Sequence, residues 1–95
     1  KIKYAILSTR FAKNLPSGPE DVDLLVVGQI VLPELQAIVS DEQTRREHEI
    51  NYSFMDGAEF NFRMKRRDSF ILGVVLKPKI MLIGDEDDLL SGVVI

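Results

Sequence analysis

The sequence predicts a single layered domain of the α/β or α+β class, spanning residues 1–95, and three observations carry that expectation. The 95 residues are 45% hydrophobic and 28% charged, with a mean hydropathy near zero, the balance of a globular chain able to bury one core. Short β-branched apolar runs alternate with segments whose apolar residues recur at helical spacing. Proline, glycine and asparagine fall between those segments, where turns are required.

Taken in order, Lys3–Ser8 reads as the first strand. Residues 13–20, with two prolines, a glycine and an asparagine, read as a loop. Val22–Val27 follows, closed by Gly28, and its unbroken apolar run suits a strand covered on both faces. Pro33 fits the first turn of a helix, where its missing N–H costs nothing. Leu35, Ile38 and Val39 form the expected inward stripe of that helix, with the polar stretch to Arg46 in water.

Glu49–Met55 alternates, placing Ile50, Tyr52 and Phe54 on one side and Glu49, Asn51 and Ser53 on the other, a half-buried strand. Asp56 with Glu59 three residues on has the form of a capping box for a helix marked by Phe60 and Met64. Asp68 is the expected cap of a second short helix with Phe70, Ile71, Val74 and Val75 inward, stopped by Pro78. Lys79–Ile83 is the last strand, ended by Gly84, and Asp85–Leu90 the last helical turn.

Composition excludes several kinds of chemistry. Without cysteine there is no disulfide, thiolate metal site or cysteine nucleophile, and one histidine, His48, cannot build a histidine-rich zinc site. The longest apolar runs are too short to cross a bilayer, so a cytoplasmic location without membrane partners is expected. The net charge of −3 argues against strong nucleic-acid binding by these residues alone. The basic cluster at Arg63–Arg67 and the acidic one at Asp85–Asp88 read as solvated helix faces. Arg63–Arg67 could instead hold phosphates, and Lys77 and Lys79, which flank Pro78, could do the same. Lysine rather than methionine opens the chain, and an upstream segment is expected to precede it.

The sharpest chemical feature is Asp21-Val22-Asp23 before Leu24-Leu25-Val26-Val27-Gly28. Residues two apart on a strand share a face about 6–7 Å apart, so both carboxylates could reach one hard divalent cation. Glu49 is the candidate third acid for a phosphoryl-transfer site, and Asn51 is the other residue on that face. The structural alternative is that Asp21 and Asp23 are polar residues at a strand entrance.

The run from Asp21 to Gly28 resembles the metal-binding strand of the minimal nucleotidyltransferases of the DNA polymerase β superfamily. The likeness continues through Glu49-Ile50-Asn51-Tyr52, Glu59-Phe60, the helices between Arg63 and Leu76, and Lys77 to Gly84. The ordering is similar to nucleotidyltransferase-like domains found behind winged-helix domains in prokaryotic transcriptional regulators. The resemblance implies a mixed sheet of about four strands with helices packed on it, and a winged helix upstream through which DNA would be bound. In an active member, Asp21 and Asp23 would hold Mg2+, Glu49 would complete the catalytic acids and Ser8 would contact the phosphates of an NTP.

Active members carry a Gly-Ser pair after the first strand, opening a helix. Here Leu7-Ser8 stands in its place, and 12 residues separate Ser8 from Asp21. Losing those backbone donors removes phosphate positioning. The resemblance therefore implies a noncatalytic domain with a regulatory, ligand-sensing or dimerisation role. An active transferase moving NMP from an NTP to an acceptor is the alternative, and an unrelated α/β module is a third. Val93-Val94-Ile95 is apolar and costly to leave in water, so it is expected to pack back on the sheet, to continue into further sequence or to pair with a second copy, the homodimer being the expected partner.

Overall fold

The computed structural model describes residues 2–15 and 21–91. Its frame is a four-stranded mixed sheet built from β1 (Ile2–Ser8), β2 (Leu24–Gly28), β3 (Tyr52–Met55) and β4 (Lys79–Ile83), ordered β3-β2-β1-β4. β1 is antiparallel to both β2 and β4, whereas β2 and β3 run parallel. The parallel pair needs a crossover, supplied by α2 (Leu32–Arg46). The other helices are α1 (Thr9–Ala12), α3 (Gly57–Lys65), α4 (Ser69–Val75) and α5 (Glu86–Ser91). The mixed α+β class and the four strands agree with the sequence reading.

Alternation along the strands sorts their side chains onto two faces. Tyr4, Ile6, Leu25, Val27 and Met55 pack against Phe60 and Met64 of α3, Ile71 and Val75 of α4, and Leu89 of α5. The opposite face carries a smaller core, in which Leu7, Leu24 and Tyr52 meet Phe11, Leu35, Val39 and Ile50. β2 is covered on both sides, as its continuous apolar run predicts.

Local chemistry explains most boundaries. The Asp56 carboxylate accepts the Glu59 N–H at 2.7 Å and opens α3. Asp68 holds the same position before α4 without a side-chain cap bond; its carboxylate accepts from Arg63 at 3.1 Å instead. α2 ends at Glu47 in the left-handed conformation, with its last carbonyls taken by the Glu47 and His48 N–H groups. Gly84 ends β4 at φ +95°, where a Cβ would lie 2.7 Å from the Lys3 carbonyl oxygen.

Three expectations change in detail. Ile38 is 67% exposed, because the sheet covers α2 along Leu35 and Val39 and not along its neighbouring ridge. β3 starts at Tyr52 rather than Glu49, since the Ile50 N–H is taken by the Gln43 side chain at 2.8 Å instead of a strand. Met55 rather than Phe54 enters the larger core, while Phe54 is largely exposed. The one-turn helix α1 also fits into the short connection after β1. The loop expected at 13–20 and the apolar end Val93-Val94-Ile95 fall wholly or partly outside the described residues.

Candidate functional site

A cavity of about 370 Å³ opens where the end of β1, the approach to β2, α4 and the start of β4 converge. Phe70, Gly73 and Val74 give it an apolar wall, and Ser8, Arg10, Asp21, Ser69, Lys77 and Lys79 are its polar lining. Backbone bonds assemble this corner. The Ser8 N–H donates to the Asp23 carbonyl at 2.8 Å and the Thr9 N–H to the Pro78 carbonyl at 3.4 Å. The start of α1 is thereby tied to both β2 and the Lys77-Pro78-Lys79 turn.

Three cationic side chains line the cavity against one carboxylate. Lys77 Nζ lies 3.5 Å from Asp21 Oδ1. The Lys79 side chain is only 7% exposed and pairs with Glu86 at 3.4 Å. Partial enclosure strengthens the field of these charges relative to open water.

The two aspartates take different roles. Asp21 lines the cavity. Asp23 is 5% exposed, and its Oδ2 accepts the Asn51 N–H at 2.8 Å. The Asn51 side-chain amide donates to the Asp21 carbonyl oxygen, and the Asp23 N–H donates to the Asn51 carbonyl at 2.7 Å. Asn51 is therefore the residue beside the aspartates. Glu49 lies in a separate shallow depression with Glu47 and His48.

The structure thus brings Ser8 and Asp21 to one cavity, joins Asp23 to Asn51 through the backbone, and leaves Glu49 elsewhere. Among the described residues no group of three or more histidine, cysteine, aspartate or glutamate side chains is placed to hold a metal ion. A magnesium ion is commonly held by one or two carboxylates with waters and phosphate oxygens, and here one carboxylate oxygen of Asp23 is engaged by the Asn51 N–H.

Arg10 and Ser69 are additions that sequence reasoning missed. Arg10 follows Ser8 by two residues on the α1 turn, and Ser69 opens α4. A turn of helix directly after β1 is the signal that would have found Arg10.

Comparison with known proteins finds no matching family model, no matching curated protein and no matching solved structure.

Proposed function

We propose that this chain is a noncatalytic nucleotidyltransferase-like domain that binds a phosphate-bearing small molecule, with a nucleotide as the first candidate, and serves a regulatory role in a transcriptional regulator. The observation that carries the reading is the engagement of the Asp23 carboxylate by the backbone beside the cavity. Asp23 spends a carboxylate oxygen on the backbone of Asn51, while Asp21 lies in a cavity that also holds Arg10, Lys77 and Lys79. A transferase needs its acids gathered on one metal. A binding module needs complementary charge and a shaped wall, and the cavity has both.

The regulator context rests on the resemblance of Asp21–Gly28 and of the element order that follows it. In that context DNA contact belongs to a preceding winged helix, and ligand occupancy of the cavity is the signal. Cations at the Lys77-Pro78-Lys79 turn connect the cavity to β4, while Ser8 and Arg10 connect it to β1.

Amide NMR during titration with ATP, with and without Mg2+, tests the proposal. The expected result is a set of shifts at Ser8, Arg10, Ser69, Lys77 and Lys79 that needs no metal, weakened in Arg10→Ala and retained in Asp23→Asn. Transfer of NMP from an NTP to any acceptor by the purified chain overturns the noncatalytic reading. Absence of shifts at millimolar nucleotide overturns the ligand.

A further inference from the structure

α4 turns Ile71 and Val75 into the larger core, where both are fully buried. Phe70, Gly73 and Val74 stand at the i, i+3, i+4 spacing of a neighbouring helical stripe, and all three line the cavity, with Lys77 just beyond the helix end. The middle of that stripe is a glycine. Inside a helix glycine is destabilising relative to alanine, because it has the most backbone freedom to lose on folding. Neither usual reason for keeping it applies among the described residues. Gly73 lies within a regular helix and does not take a positive φ. A Cβ built on it meets nothing within 4 Å. Gly57 is equally open, but it stands at the first position of α3 and is not part of this cavity.

We infer that Gly73 seats the planar ring of the ligand, so that the cavity selects a nucleotide over a bare polyphosphate; the inference rests on the ligand-binding reading of this cavity. A missing Cβ lets a ligand come close to the helix backbone. A flat ring uses such a gap best, since it is thin enough to lie on the backbone while touching Phe70 on one side and Val74 on the other. Both are half-buried, so each leaves apolar surface that a ring removes from water and a phosphate group does not. The charges point the same way. Lys77 is paired with Asp21 and Lys79 with Glu86, so an incoming phosphate competes with carboxylates already in place and gains little from these cations alone. The apolar seat must then supply part of the affinity. Lys77 follows Gly73 by four residues, about one turn, which leaves the width of a sugar between ring and phosphates. At about 370 Å³ the cavity has the size of a small-molecule site.

Parallel titrations of the whole chain with ATP and with inorganic triphosphate, followed by amide NMR, test the seat in the natural chain and in Gly73→Ala. In the natural chain ATP is expected to bind on the order of tenfold or more tighter than triphosphate. Gly73→Ala is expected to lose that margin while keeping its affinity for triphosphate. Its urea midpoint is expected to rise, because the helix gains an alanine where nothing is displaced. A variant that is more stable yet blind to the ring cannot owe its loss to misfolding. Equal affinity for the two ligands in the natural chain overturns the ring seat and leaves the phosphate reading standing, as does a Gly73→Ala chain that keeps the margin. A loss shared equally by both ligands overturns it too, since the substitution then alters the cavity as a whole. A lower midpoint in Gly73→Ala means that another part of the chain fills the gap, and the seat falls. No shift by either ligand at millimolar concentration in the natural chain overturns the cavity reading itself, and the seat with it.

Discussion

Asp23 Oδ2 accepts the backbone N–H of Asn51 at 2.8 Å across the entrance of the parallel β2–β3 pair. The same two residues are joined by a second bond, from the Asp23 N–H to the Asn51 carbonyl at 2.7 Å. Neither residue belongs to a strand proper, since β2 begins at Leu24 and β3 at Tyr52. Together they close the ladder where its regular bonds stop, and a buried carboxylate satisfies an N–H that would otherwise lack a strand partner.

Asp23→Ala is therefore expected to destabilise the fold by about 1.5–3 kcal/mol, the range for a hydrogen bond to a charged group whose partner is then left unsatisfied. Asp21→Ala is expected to cost under about 1 kcal/mol, because its ion pair with Lys77 is solvent-exposed and its carbonyl still serves Asn51. Urea unfolding of the two variants checks this. Equal losses would contradict the division of roles between the aspartates.

Tyr4 fastens α5 to the sheet, its hydroxyl donating to Asp88 Oδ2 at 2.5 Å. Burial, then the hydrogen bond to Asp88, then the charges of Asp88 and Asp85 push its hydroxyl up to about 12. In the unfolded chain the phenol ionises near its ordinary value of 10. Between those values the unfolded state binds fewer protons than the folded one, so stability falls as pH rises. The contribution is present below about pH 10 and lost by about pH 12, at about 1.4 kcal/mol per unit of separation. Denaturant unfolding of Tyr4→Phe against the natural chain isolates it: the variant is expected to lose the part of the alkaline slope that Tyr4 provides.

Gly84 is required by the close approach of β1 at the end of β4. At φ +95°, a Cβ would stand 2.6 Å from the Tyr4 ring and 2.7 Å from the Lys3 carbonyl oxygen. The ring can shift, but the carbonyl belongs to the sheet. Gly84→Ala is expected to lose about 1–3 kcal/mol, read as a fall in the urea midpoint, because backbone strain adds to the contact. Gly57→Ala, which meets nothing within 4 Å, provides the control and is expected to be neutral or stabilising.

Two aspartates that look alike in the sequence differ in the fold. Asp56 caps α3 through the Glu59 N–H, and Asp56→Ala is expected to cost about 0.5–2 kcal/mol. Asp68 precedes α4 but accepts from Arg63, a guanidinium held charged chiefly by its hydrogen bonds to Glu59 and Asp68. Asp68→Ala is expected to cost less, since its partner keeps Glu59. Thermal melts of the two variants distinguish cap from ion pair.

The sequence by itself determined the class of the fold and most of its punctuation. Val22–Val27 announces a strand covered on both faces, Asp56 with Glu59 announces α3, and Pro78 and Gly84 bracket β4. Those signals are local: a period of two, a cap three residues before its donor, a ring without an N–H. The candidate site was legible only in parts, as Ser8, Asp21, Lys77 and Lys79. Which residue stands beside the aspartates was not legible, because Glu49 and Asn51 share a parity and their backbone path depends on where β3 starts to pair. The start of pairing is set by the Gln43 side chain, seven residues before Ile50 on another element. Tertiary structure alone decided that Asp23 turns to a backbone N–H, that Arg10 joins Lys77 and Lys79 around a cavity, and that β4 lies at an edge. Each depends on contacts between distant segments, which local pattern does not encode.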